Sequence, residues 1–220
     1  MNKKVKTVIF DMDGVIFNTE KMYLDCCVEI GKNYDLTGVE EVCRKCIGIT
    51  STETEKILID AYGEDFPLKK YRLEVYELFK KHFGDGKGAM KPGVTEILEY
   101  LKCNQYKIAL ASSTNSEDVK SELASAEILG FFDVVIGGEM VGKSKPEPDI
   151  FLKAAEVVGS EPSECLVIED SHNGVRAAFN AGMKAIMVPD LLPVTEEMKE
   201  KATYIVKNLK ESMQIISEMA

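Results

Sequence analysis

The sequence predicts an α/β fold, a doubly wound parallel sheet with an inserted helical subdomain, and three observations carry that reading. Short apolar runs recur along the 220 residues, helical stretches separate them, and one interval is far too long to be an ordinary connection. The runs are "VKTVIF" (5–10), "YKIALA" (106–111), "FDVVIG" (132–137), "ECLVIE" (164–169) and "KAIMVP" (184–189). Strands of a parallel sheet are buried on both faces, so they read as continuous apolar runs rather than as alternating ones.

The first run opens the chain. From about residue 18 to about 88 there is no convincing strand, only the helical patterns "TEKMYLDCCVEIGKNY", "VEEVCRKCIG", "STETEKILIDAYG" and "PLKKYRLEVYELFKKHFG". A βα connection usually takes about 2–6 residues, so this interval reads as an insertion: residues 1–17 and 88–220 form the α/β core and 18–87 the helical part. Helices merely packed on the sheet are the alternative. "GDGKGAMKPG" (84–93) reads as the return hinge, because Gly frees the backbone and Pro prepares the next helix. Past it, "PGVTEILEYLK" has Pro at its expected first turn, "NSEDVKSELASAEIL" carries early acids, and "PEPDIFLKAAEVVG" ends in Gly, all of them helix boundary signals.

Composition narrows the function. A hydrophobic content of 45% suffices for one good-sized core or a core with a smaller companion. Lys and Arg number 27 against 37 Asp and Glu, and the net charge of −10 gives no general attraction to nucleic acid or anionic lipid. No apolar run approaches the roughly 18 residues needed to span a bilayer, and the N-terminal stretch lacks a signal-peptide cleavage pattern, so a cytoplasmic protein without membrane or nucleic-acid partners is expected. Six cysteines suit a reducing compartment. Cys43 and Cys46 have C-x-x-C spacing, but no second pair or nearby His completes a zinc site, and core or surface thiols are the expectation.

Polar clusters fall at one end of the runs. The first ends in Asp11-Met-Asp13-Gly14, the second in Ser112-Ser113-Thr114-Asn115 and the fourth in Glu169-Asp170-Ser171-His172-Asn173-Gly174, while "GKSKPEPD" follows the third after a short loop. Ligands of open α/β sheets bind at the carboxyl edge of the strands, so this one-sidedness predicts a single convergent site. Asp11, Asp13, Glu169 and Asp170 supply hard oxygens suited to Mg²⁺, although Asp-x-Asp-Gly is also ordinary turn chemistry. Ser112, the amides opening the next helix and Lys145 describe a phosphate pocket. Together these groups suggest phosphoryl transfer, in which one aspartate can act as nucleophile and its neighbour as acid and base.

With these motifs in place, the sequence closely resembles the haloacid dehalogenase-like hydrolase superfamily, in the branch of β-phosphoglucomutase-like proteins and small sugar-phosphate phosphatases. "DMDG" is similar to the nucleophile motif, "LASST" to the phosphate-binding motif, "SKPEPD" to the lysine motif and "IEDSHNG" to the acidic metal motif, in the right order and each following a strand. The resemblance implies a Rossmann-like core with a mobile helical cap over residues 18 to 88. It implies Asp11 as nucleophile and metal ligand, and Asp13 as general acid/base with its carbonyl on magnesium. Ser112 and Lys145 would hold the transferring phosphate, and Asp170 with Glu169 would complete the metal site. Lys145 precedes Pro146 as in the family's Lys-Pro pattern, which leaves Lys143 as a solvated charge.

Ser113, Asn115 and Thr19 adjoin the motifs as substrate contacts, Thr19 being equally a candidate N-cap of the first cap helix. Gly48 in "CIGIT" resembles the cap loop that enters the site, and a helix stop explains it as well. His172 reads as a surface residue, and Lys69, Lys70 and Arg72 as a solvated helix face. The expected enzyme is a Mg²⁺-dependent monomeric phosphatase of a small phosphorylated metabolite. A phosphosugar mutase is the alternative, although Thr52 and Tyr23 align where β-phosphoglucomutases carry an Arg and a His, and Arg72 could replace the missing charge. A phosphoryl-accepting receiver fits less well, since its acceptor follows a later strand and it carries no large insertion; a phosphate-ligand binding protein fits poorly with both Asp11 and Asp13 present.

Overall fold

Strand β1 (Thr7–Phe10), buried throughout, lies inside a six-stranded sheet whose strands all run parallel. A computed structural model of the chain describes residues 4–47, 51–84 and 86–219. The other strands are β2 (Lys107–Ala111), β3 (Val134–Ile136), β4 (Cys165–Glu169), β5 (Lys184–Met187) and β6 (Tyr204–Ile205), in the spatial order β3-β2-β1-β4-β5-β6. The chain winds outward from β1 through β2 and β3, then returns to the other side of β1 with β4. That reversal is the switch point at which open α/β sheets form a crevice.

The five longer strands coincide with the five apolar runs. The sixth was not anticipated, because two residues at a sheet edge, one exposed and one half-buried, leave no apolar run to detect. Helices α5 (Val94–Cys103), α6 (Ser116–Ser125), α7 (Asp149–Val158), α8 (His172–Asn180), α9 (Glu196–Lys201) and α10 (Leu209–Glu218) alternate with or follow the strands. Gly93, not Pro92, caps α5, so the proline lies just before the helix instead of in its first turn. Gly159 ends α7 at φ +69°, a left-handed position that glycine takes without a Cβ penalty.

One side of the core shows why the layers fit. Ile9, Ala109, Val167 and Ala185 from the strands meet Phe151, Ala154 and Ala155 of α7 and Ala177 and Ala178 of α8. The small alanines let two helices lie close to the sheet, and burying a side chain such as Phe151 stabilises by about 1.5–3 kcal/mol.

The chain divides into two compact units, Met1–Phe17 with Asp85–Ala220, and Asn18–Gly84. The second holds α1 (Thr19–Gly31), α2 (Val39–Arg44), α3 (Ser51–Tyr62) and α4 (Leu68–Phe83), and no strand among its described residues. Helix α1 packs chiefly on α4, where the Tyr71 hydroxyl donates to the Cys27 carbonyl at 2.9 Å and the Tyr23 and Phe79 rings lie 5.9 Å apart. Rings of Tyr34, Phe66 and Tyr71 meet at 5.3–6.1 Å between centroids. The predicted first helix stops at Gly31, where a 3₁₀ turn over Lys32–Tyr34 leads to Asp35 at φ +52°. A Cβ on Gly31 would stand 2.8 Å from Val39 Cγ2, so glycine here lets the end of α1 lie against the start of α2.

Within the larger unit, the segment ending at Phe17 pairs with the one that follows residue 85: Phe17 and Met90 form an antiparallel bridge, and Lys91 N–H donates to the Ile16 carbonyl at 2.8 Å. No helix among the described residues is long and apolar enough to cross a membrane.

Candidate active site

Register assembles the site. Phe10 is level with Leu110 of β2 and Ile168 of β4, so the chain leaves the sheet at Asp11 between the ends of those two strands. Asp11 N–H still donates to the Ile168 carbonyl at 3.0 Å, and Ser112 N–H to that of Ile136 at 3.0 Å. The first residue beyond each of these two strands therefore continues the hydrogen bonding of the sheet.

Asp11, Glu169 and Asp170 are all buried, and one oxygen from each lies within 4.8 Å of the others. Lys145, from the loop after β3, donates to Asp11 Oδ1 and, at 2.8 Å, to Glu169 Oε1. Its Nζ also lies 4.9 Å from the centroid of the Phe151 ring. Burial pushes the Asp11 carboxyl well above the usual carboxylate range; Lys145 pulls it down, and Glu169 and Asp13 push it up again. Burial works against the Lys145 ammonium, but Asp11 and Glu169 more than offset it and raise its pKa. Lys145 pairs with two of these carboxylates, Asp11 and Glu169. The donors are hard oxygens, the chemistry that Mg²⁺ takes, and a divalent cation there would oppose the upward push on Asp11.

Two glycines make room for these acids. A Cβ on Gly14, at φ +79°, would strike the Asp170 carboxylate, and one on Gly174 would strike that of Glu169. Glu169 Oε2 also accepts from Ser171 N–H at 2.7 Å, so both its oxygens are fixed. The glycines close the acidic sequence motifs because the carboxylates occupy the space of a side chain.

Asp13 is half-buried, and Thr114 Oγ1 lies 3.5 Å from its Oδ2. Ser112 is fully buried, its Oγ accepting from Thr114 N–H at 3.1 Å, while Ser113 and Asn115 are exposed. The amides opening α6 are already engaged: Asn115 Oδ1 accepts from Glu117 N–H at 3.0 Å, and the Glu139 carboxylate accepts from Ser116 N–H at 3.1 and 3.2 Å. Gly137 and Gly138 allow this loop to approach, since a Cβ on either would meet the backbone of Ser116 or Ser113.

Thr19 is the buried first residue of α1 in the helical unit, where Asn18 holds the N-cap position. Gly48 falls outside the described residues. His172 Nε2 is 2.8 Å from the Pro193 carbonyl, and exposed Lys143 reaches Glu147 only at 4.0 Å. Sequence reasoning missed Lys91, whose Nζ donates to the Gly14 carbonyl at 2.6 Å and to Asp190 Oδ1 at 2.8 Å. A lysine one residue before a Pro-Gly hinge gives no local sign of bracing a turn 77 residues earlier.

Comparison with known proteins matches residues 8–188 to the haloacid dehalogenase-like hydrolase family. The phosphorylated carbohydrates phosphatase of Thermotoga maritima is 34% identical over 83% of this chain and 84% of its own length. The bifunctional riboflavin kinase/FMN phosphatase of Arabidopsis thaliana is 32% identical over 95% of this chain, which spans 55% of that longer protein. The crystal structure of β-phosphoglucomutase from Clostridium difficile superposes with a TM-score of 0.76 at 23% identity, covering 98% of this chain and 96% of that one, a likeness of fold. The sequence motifs, the strand order and these matches agree: the chain is an enzyme and belongs to the haloacid dehalogenase-like hydrolases.

Proposed function

We propose that this enzyme hydrolyses a small phosphomonoester, foremost a sugar phosphate, through an aspartyl-phosphate on Asp11 and with Mg²⁺ as cofactor. The observation that carries the reading is the meeting of Asp11, Lys145, Glu169 and Asp170 at one buried point on the carboxyl edge of the sheet. The phosphatase activity in the names of the Thermotoga and Arabidopsis relatives supports it.

In this mechanism an Asp11 oxygen attacks phosphorus while the bond to the leaving oxygen breaks, and Asp13 donates a proton to that oxygen. Asp13 then takes a proton from water, the water oxygen attacks phosphorus, and the phosphorus–Asp11 bond breaks to release phosphate. Lys145 and Ser112 orient the phosphate oxygens and offset their charge. Asp11, Asp170 and Glu169 would hold Mg²⁺, which supplies further charge neutralisation at the phosphate. The test measures phosphate release from a panel of sugar phosphates with Mg²⁺ and after chelation, for the wild type and Asp11→Asn. Release that requires both Mg²⁺ and Asp11 is expected; a folded Asp11→Asn protein with near-normal turnover overturns the assignment.

Hydrolysis is favoured over transfer within a hexose by residues of the helical unit. A mutase must grip a distal phosphate with a strong cation. Tyr23 offers no imidazole and packs edge-on against Phe79 at 5.9 Å, while Arg72 is paired with Glu55 at 3.0 Å. With β-glucose 1-phosphate and a catalytic amount of the 1,6-bisphosphate, free phosphate without glucose 6-phosphate is expected. Rapid glucose 6-phosphate formation with little free phosphate would establish the mutase instead.

A further inference from the structure

Lys145 is held by groups of unlike kind. An ammonium carries three N–H bonds, and this one donates to Asp11 Oδ1 and Glu169 Oε1. Among the described residues no third acceptor stands beside it. Instead its Nζ lies over the Phe151 ring, 4.9 Å from the centroid. The Lys145 side chain is 8% exposed and Phe151 is fully buried, so water is kept from the contact, the setting in which a ring attracts a cation most strongly.

The chain holds ring and lysine in one frame. Glu147 N–H donates to the Ser144 carbonyl at 3.0 Å, and Asn180 Nδ2 of α8 donates to the Pro146 carbonyl at 3.1 Å, which ties down the loop that carries Lys145. Phe151 follows in the first turn of α7, its N–H donating to the Pro148 carbonyl at 3.1 Å. It belongs to the same buried cluster as Ile9 of β1 and Val167 of β4, the strands that lead to Asp11 and Glu169.

The chemistry of the ring matters beyond its volume. An aliphatic side chain would fill the space but offer the ammonium no attraction. An oxygen acceptor would attract it but would take the third hydrogen. An aromatic face attracts through its quadrupole, requires no particular hydrogen, and so leaves that hydrogen for a ligand oxygen.

We propose that Phe151 is a positioning residue for the reaction: its face holds the Lys145 ammonium beside Asp11 and Glu169 while the third N–H stays available to the phosphate. The inference rests on the role proposed above for Lys145 at the phosphate. Phe151 acts through Lys145 alone. A weaker hold lets the long lysine side chain populate other rotamers, and phosphate affinity falls with the fraction of protein that keeps the competent one.

The test puts phenylalanine or its mono-, di- and trifluorinated analogues in place of Phe151 in the full chain. Fluorine draws electron density from the ring face and changes ring size little, so attraction for a cation weakens in steps while packing is nearly kept. Affinity for inorganic phosphate in the presence of Mg²⁺ is read by calorimetry. It should fall in order of fluorine count, by roughly 3- to 30-fold for the trifluorinated ring. In Lys145→Met protein carrying the same analogues that order should vanish. Equal affinity at every fluorine count, or a graded loss that persists in Lys145→Met, overturns the inference and leaves Phe151 as core filling. Failure of the phosphatase reading is a different result: the protein with phenylalanine in place neither binds phosphate nor releases it from para-nitrophenyl phosphate or a sugar phosphate, and the inference falls with it.

Discussion

The two units handle polarity in opposite ways. The α/β unit buries Asp11, Ser112, Glu169 and Asp170 at one edge of its sheet and draws Lys145 among them. The helical unit keeps its ion pairs outside, in single-turn pairs such as Arg44 with Glu40 and Lys45 with Glu41, and fills its interior with rings and thiols. Exposed pairs of that kind are worth about 0–1 kcal/mol, whereas breaking a buried pair costs about 3–5 kcal/mol. The difference teaches where electrostatics can do chemistry: only the first unit excludes water around its charges while holding their geometry.

The sharpest way to test that contrast is Asp11→Asn. Loss of the nucleophile should lower turnover by at least ~10³-fold, while thermal unfolding stays close to that of the wild type because Lys145 keeps Glu169. Kinetics and a melting curve on the same sample separate the two effects.

Lys145→Met should come next, since it leaves buried carboxylates unbalanced: about 3–5 kcal/mol of stability and most activity should be lost. Lys143→Met, two residues away and exposed, should change stability by less than about 0.5 kcal/mol. Denaturant unfolding of both variants would break the comparison if their costs were equal.

Gly174→Ala isolates the fit around Glu169. Alanine favours a helix over glycine by about 1 kcal/mol, so a net loss of roughly 1–3 kcal/mol, with reduced activity, would report the collision with the carboxylate. Lys91→Met should lower kcat by roughly tenfold with little change in KM, because it releases the Gly14 carbonyl next to Asp13, and Lys91→Arg should recover part of the loss.

The smallest effect concerns Asp133 at the start of β3. Desolvation raises its pKa, but Lys102, 2.8 Å from Oδ1, and Ile108 N–H, 2.8 Å from Oδ2, more than offset this, and the net shift is downward. A depressed carboxyl stabilises above its unfolded pKa of about 3.9, and that contribution is lost as pH falls through the lower folded value. The group is partly exposed, so Asp133→Asn should cost under about 1 kcal/mol at neutral pH. Urea titrations of the two proteins should begin to converge near pH 4 and coincide once pH has fallen through the lower folded value.

How much of this was legible follows from locality. Strands β1 to β5 could be read because burial on both faces writes an uninterrupted apolar run, and the carboxylates could be read because they follow those runs directly. The turn-bracing role of Lys91 could not, since its partners lie 77 and 99 residues away and nothing nearby marks them. The capping of α6 by Glu139 was also missed: a carboxylate 23 residues downstream uses an amide that the sequence alone would assign to a ligand. Gly137-Gly138 was a readable hint, because two adjacent glycines beside a strand end often mark backbones in close approach.

The bridge between Phe17 and Met90 has a consequence for how such a chain could be remodelled. It places the two ends of the interrupted α/β unit side by side, so the sheet-bearing part loses little continuity whatever is spliced between them. Helical insertions of different length or sequence could be exchanged there as cassettes without rebuilding the sheet.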